Sequence, residues 1–262
     1  MLKDKTMLGL LLMFIVPGDT SAQDQLDRDW LIERSTFKEA VAKGTPIEIH
    51  NLYGDVRLRG TEDAGIDVIT NMQKRKGDKH KVSLTHEMKD DKLVLTVSYA
   101  GEEEETVKKN GKRRLDLTVF IPEGSHLTVR THKGLIEAKG IMGDVDFYSD
   151  RGKIYCRNKG HVVIGSRQGN ITAAMMKVDW EKASRVESKL GTIEVQLPSD
   201  ASLQVQATTS GQITTDYSVQ IKRSAKGNRK TAIATLGEGK NQLVLDNQAG
   251  AIKVLLGNWK VD

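Results

Sequence analysis

Between Lys133 and Ala173 the chain alternates between apolar and polar positions. Glycines at 134, 143, 152, 160 and 169 each open a short unit whose second and fourth following residues are apolar or small. These pairs are Ile136 and Ala138, Val145 and Phe147, Ile154 and Cys156, Val162 and Ile164, and Ile171 and Ala173. A period of two predicts half-buried strands, and the glycines predict the turns between them. Units of eight or nine residues leave no room for a strand together with a crossover helix.

Alternate units form two series. Ile136, Ile154 and Ile171 stand 18 and 17 residues apart, as do Ala138, Cys156 and Ala173. The intervening units place Val145 with Val162 and Phe147 with Ile164. One series carries small side chains and the other bulky ones, which is what two facing sheets need to fill a narrow dry interior. The pattern predicts an all-β fold, a parallel β-helix-like β-solenoid with about 18 residues per two-strand coil in its centre. Its coils would stack about 4.8 Å apart. The glycines are expected at corners that need positive φ or close backbone approach, and Cys156 is expected inside.

The same alternation recurs less regularly on both sides. Upstream are two strands around Gly54 in 47–60, then AGIDVIT, KLVLTVSYA and RRLDLTVFIP; downstream are GTIEVQLP, ASLQVQAT, GQITTD, NQLVLDN and GAIKVLLG. Two charged stretches, 101–114 and 221–230, interrupt the pattern and are predicted to be solvated hairpin tips or insertions at coil edges. The expected division is a signal peptide over 1–22, a polar segment over 23–44 that caps the stack or forms a short helix, and a β domain over 45–262.

The signal-peptide reading rests on Lys3 and Lys5, the apolar run Met7 to Val16, the break at Pro17-Gly18, and the small residues Thr20 and Ala22 before a cut after Ala22. The run is too short to span a bilayer as a helix, and no cysteine follows it to carry a lipid. The expectation is an exported protein, periplasmic or at the cell surface, that does not span a membrane after cleavage.

Composition sharpens this picture in three places. With 38% hydrophobic but only 5% aromatic residues, the core must rest on Val, Ile, Leu and Ala, and base-stacking platforms for nucleic acid are not expected. A single cysteine excludes a disulfide within the chain, so burial and backbone pairing must hold the exported fold. The net charge of +5 favours anionic surfaces only slightly.

Taken in order, IEIHNLYGDVRLRG, LDLTVFIPEGSHLTVRTHKGLIEAKGIMGDVDF, RGKIYCRNKG and NQLVLDNQAGAIKVLL make the chain resemble the bacterial DUF4097 family of adhesin-like proteins over roughly residues 45 to 256. The resemblance implies an exported β-helical domain and supplies no catalytic residues.

Candidate chemistry is sparse. Asp144, Asp146 and Asp150 are carboxylates of the kind β-helix polysaccharide enzymes pair. The next strand of the same series offers His161 and Val163 where Asp144 and Asp146 stand, so no acidic cluster continues. Glu102 to Glu105 are followed at once by a basic run and read as self-neutralising. The six histidines lack zinc-site spacing, so neither a metal nor a cofactor is expected. One pattern remains: Lys133 with Arg151, and Lys139 with Arg157, each recur after 18 residues and predict two short basic columns, a candidate anion-binding site. The resulting expectation is a non-catalytic adhesin-like binding or scaffold protein of the bacterial cell envelope, with an anionic glycan or envelope component as partner. The alternatives are a polysaccharide-active β-helix enzyme and a self-associating periplasmic structural or signalling module.

Overall fold

A computed structural model describes residues 30–101, 103–110, 113–224 and 227–258. The expected signal peptide and the start of the polar segment after it lie outside these residues. Among them the chain forms 21 strands and one short helix, with the strands in two large sheets.

Sheet I runs, in spatial order, through β1 (Trp30–Glu39), β4 (Ile66–Arg75), β7 (Arg113–Pro122), β3 (Val56–Thr61), β9 (Ile136–Ile141), β11 (Ile154–Asn158), β13 (Ile171–Met175), β15 (Ile193–Leu197), β21 (Ile252–Leu256) and β17 (Ile213–Thr215). Sheet II runs through β18 (Gln220–Arg223), β19 (Lys230–Leu236), β16 (Leu203–Thr209), β20 (Asn241–Asn247), β14 (Ser184–Ser188), β12 (Val162–Ser166), β10 (Val145–Ser149), β8 (Leu127–Lys133), β2 (Ile47–Tyr53), β6 (Lys92–Tyr99) and β5 (Val82–Lys89).

From β8 to β15 successive strands alternate between the sheets, and their pairing is parallel. The register is the one the repeat predicts. Ile136, Ile154 and Ile171 align across β9, β11 and β13, and Cys156 lies between Ala138 and Ala173. Phe147 aligns with Ile164 in the other sheet. All of these side chains are buried, Phe147 and Cys156 included, in one continuous core.

Two differences from the expectation stand out. First, the sheets are mixed. β1, β4 and β7 pair antiparallel at one end of sheet I; β5 and β6 do so at one end of sheet II, and β16, β19 and β18 at the other. Neither sheet closes on itself. The segment 30–39, expected as a cap or short helix, is therefore the edge strand β1. Its exposed, charge-rich face suits an edge that must not recruit another chain. Second, the charged stretch 101–114, expected as a hairpin tip or an insertion at a coil edge, is an insertion between β6 and β7 that holds a helix, α1 (Glu104–Asn110). Glu104 and Glu105 sit in its first turn, where the helix dipole favours negative charge, and its own Val107 is buried. The second charged stretch does form a hairpin: β18 and β19 pair antiparallel and Ser224 N–H bonds to Arg229 O at 3.0 Å.

Gly134, Gly152 and Gly169 stack at one corner, and Gly143 and Gly160 at another. A Cβ on Gly152 would lie 1.7 Å from the Gly134 carbonyl oxygen, and one on Gly169 would lie 1.7 Å from that of Gly152. Beside this column runs a ladder of buried polar side chains in mutual register, from Asn51 through Thr131, Ser149, Ser166, Ser188 and Asn247 to Thr209. The Ser149, Ser166 and Ser188 hydroxyls accept the N–H groups of Gly152, Gly169 and Gly191 at 2.8, 2.7 and 3.0 Å. Each thereby satisfies a corner donor that water cannot reach. This corner fixes the phase of every strand that follows it, and so sets which side chains reach the outer face.

Candidate functional site

The outward positions of sheet II line up across many strands because the parallel register is unbroken there. One row reads His50, Arg130, Tyr148, Gly165, Glu187, Asp246 and Thr208 across β2, β8, β10, β12, β14, β20 and β16. A neighbouring row reads Glu48, Thr128, Asp146, Val163, Arg185 and Val244. Strands in such a sheet are about 4.8 Å apart, so the rows run as continuous tracks along the stack.

Gly165 interrupts its row. It has no side chain, and the edge of the Tyr148 ring lies over it: a Cβ there would meet Tyr148 Cδ2 at 3.0 Å. The result is a trough of about 560 Å³ in the outer face. Its floor is Val163 and Gly165, and Tyr148 stands on one flank, 39% exposed. Around it stand the cations Arg130, Arg167, Arg185, Lys189 and Arg229.

Most of these cations are held by carboxylates. Arg130 bonds Asp146 at 2.7 Å, Arg185 bonds Glu187 at 2.6 Å, and Arg229 bonds Asp246 at 2.6 Å. Asp150 accepts from His132 at 2.7 Å, from the Tyr148 hydroxyl at 3.1 Å and from Arg167 at 3.3 Å. Burial works against ionising Asp150, but the three hydrogen bonds outweigh it and hold its carboxyl below the usual carboxylate range. Burial, together with the neighbouring Asp150 charge, raises the Tyr148 phenol in turn. Lys189 is exposed and has no ion-pair partner among the described residues. A second depression of about 390 Å³ adjoins the trough, sharing Arg130 and lined further by His50, His132 and Asp150.

The basic residues singled out from the repeat lie elsewhere. Lys133 and Arg151 sit at the strand-end corner, where Arg151 N–H bonds to His132 O at 3.0 Å; the Lys133 ammonium lies 5.4 Å from the Tyr53 ring centroid. The column of Lys139 and Arg157 is broken by a bulge, because Cys156 aligns with Ala138 while Asn158 aligns with Ile141. Lys139 lies over the Tyr155 ring at 5.6 Å and bonds Glu137 at 3.3 Å, and Arg157 Nε meets the Met176 sulfur at 3.1 Å. Lys133 and Lys139 each face a tyrosine ring, and Lys139 also pairs with a carboxylate; none of the four lines the trough. Asp144 accepts the His161 N–H at 2.9 Å, a bond within the ladder. Among the described residues no group of three His, Cys, Asp or Glu could hold a metal ion.

The alternation of apolar and polar positions does not single out Gly165. A glycine inside a strand, in VVIGS, signals a close approach by a neighbour, and here the neighbour is Tyr148.

No family model matches the chain, and no curated protein matches it. Among the described residues no helix is long and apolar enough to cross a membrane. Solved structures do match. One, from Clostridium sporogenes and named as a candidate cell adhesion protein, is 14% identical over 86% of this chain and 100% of its own, with a TM-score of 0.48. A candidate adhesin from Parabacteroides distasonis is 12% identical over 85% of this chain and 97% of its own, with a TM-score of 0.27. A protein from the same organism, named as a candidate lipid binding protein, is 10% identical over 85% and 96%, with a TM-score of 0.27.

Proposed function

We propose that this chain is a non-catalytic binding or scaffold protein of the bacterial cell envelope, adhesin-like in kind and exported by the segment 1–22. Its parallel centre is read as a β-solenoid whose outer sheet II face meets the partner. The observation that carries this reading is the trough over Gly165, where an exposed aromatic ring and five cations, Arg130 and Arg185 on strands and Arg167, Lys189 and Arg229 just beyond strand ends, surround one open floor.

The state of the carboxylates supports binding over acid–base chemistry. Asp146, Glu187 and Asp246 are each engaged by an arginine, and Asp150 accepts three hydrogen bonds. A general acid needs the opposite environment, one that raises its pKa. The parallel ladder also makes the face rigid, so little ordering entropy is lost on binding.

The test is co-sedimentation of the purified protein with isolated cell-envelope fractions, alongside turnover assays on a glycan panel. Saturable sedimentation without turnover is the expected result. Product release from any glycan, or no retention by any fraction, overturns the reading.

A further inference from the structure

We infer that the trough over Gly165 is a site for an acidic sugar chain, with a sugar ring against Tyr148 and its anionic substituent on Lys189. The inference rests on the binding reading above and names the class of ligand for that face.

The chemistry of the lining selects this class. Lys189 is an exposed ammonium with no ion-pair partner among the described residues, on the same wall as Arg185. An anion is therefore favoured, and a neutral ligand leaves this charge unused. Beside the cations stand Asp146, Glu187 and Asp246. Each carboxylate spends its arginine contact on one oxygen, Oδ2, Oε1 and Oδ1 respectively. The remaining oxygens are acceptors that want hydroxyl donors. A bare polyanion such as polyphosphate offers only acceptors and meets those carboxylates with repulsion. A sugar bearing a carboxylate, sulfate or phosphate offers both hydroxyl donors and an anion.

Geometry points the same way. Tyr148 supplies one apolar face rather than a series, which suits a single ring and not a run of stacked bases. Gly165 keeps the floor flat where any side chain would displace the Tyr148 ring. The flanking groups recur from strand to strand along the stack, from Arg130 on β8 to Asp246 on β20. An elongated chain laid along the stack meets them in succession.

The experiment is calorimetric titration of the purified protein with an oligogalacturonate, a neutral galactan oligosaccharide of equal length, and inorganic polyphosphate. The variants are Tyr148→Ala, Lys189→Gln and Gly165→Val, each checked for unchanged circular dichroism. The oligogalacturonate binds, more weakly as salt rises, and each variant weakens it roughly tenfold, the loss expected for one charge-assisted or aromatic contact. Polyphosphate binding equal to that of the oligogalacturonate and indifferent to Tyr148→Ala overturns the inference, as does equal binding of the neutral sugar that survives Lys189→Gln. Oligogalacturonate binding untouched by all three variants also overturns it, by placing the sugar elsewhere. If no sugar binds while envelope fractions still retain the protein, this inference fails and the broader binding reading stands; if neither occurs, both fail.

Discussion

The Gly134 carbonyl oxygen lies 1.7 Å from the point a Cβ on Gly152 would occupy. No rotamer change relieves such an overlap, because both atoms belong to the backbone. The two glycines lie in the corner turns that lead into the adjacent parallel strands β9 and β11, so separating them strains the ladder that pairs those strands. Gly152→Ala is expected to destabilise the protein by more than about 3 kcal/mol, the range of severe backbone and core lesions. Urea unfolding monitored by circular dichroism measures this, and a variant within about 1 kcal/mol of wild type contradicts the stacked corner.

Ser149 tests the same corner by chemistry instead of volume. Its hydroxyl accepts the Gly152 N–H at 2.8 Å and contacts the Thr131 hydroxyl at 2.9 Å, and it is fully buried. Ser149→Ala leaves a buried N–H without an acceptor, at a cost of about 1–3 kcal/mol. Ser149→Thr retains the oxygen and is expected to recover part of that loss. Equal stability of the two variants removes the hydrogen bond from the account.

The sequence makes the corner readable because glycine and alternation coincide there. The strands β9 to β13 each carry apolar residues at their first two inward positions, and their spacing already implies the register. The strand β14 does not. Its inward residues are Ser184, Val186 and Ser188, so one apolar side chain is all the pattern offers; Ser188 belongs to the polar ladder, and the Ser184 hydroxyl accepts the Val162 N–H at 3.1 Å. β5 buries only Val82 of its eight residues, and β1 is an exposed edge. Such strands exist because a neighbour's backbone needs pairing, and that need leaves no periodic mark. The helix α1 was hidden by its charge, since glutamates and lysines suit a helix as well as a loop.

The trough was less legible than the fold. Arg185 aligns with Val163, and Glu187 with Asp246, across offsets of 22 and 59 residues, after the eight-to-nine-residue spacing has lapsed. A column read from constant spacing therefore found Lys133 with Arg151 and missed Lys189. A single-residue bulge was enough to break Lys139 from Arg157.

Asp150 makes the acid side of the stability profile a reporter of the trough's flank. Its folded pKa is lowered by His132, Tyr148 and Arg167 acting against burial. A depressed folded pKa means stability that is present above the unfolded value of about 3.9 and lost as pH falls through the folded one. Asp150→Asn is therefore expected to melt below wild type at neutral pH, with the gap closing once the pH drops under about 4. Melting temperatures across pH 3 to 7 for both proteins, taken as roughly that window, check it. A gap that persists undiminished in acid assigns the loss to packing and not to charge.

Cys156 does the same on the alkaline side, from within the core. It is fully enclosed between Ala138 and Ala173, and burial pushes its thiol up to about 12. In the native protein it is expected to resist a thiol-specific aromatic disulfide reagent at pH 8 and to react at once in urea, because reaction needs an accessible thiolate. The raised folded pKa also fixes the sign of the pH dependence. The unfolded thiol ionises near 9 while the folded one stays neutral to about 12, so this group's contribution is complete below pH 9 and declines between those values. The decline is at most about 1.4 kcal/mol per pH unit. Cys156→Ala removes it and leaves a small void in the core, so the variant starts below wild type where the thiol is neutral. Unfolding free energies at pH 8, 9 and 10 for both proteins should therefore converge as pH rises; parallel curves, or rapid labelling of the native thiol, would mean that Cys156 does not sit between the two sheets.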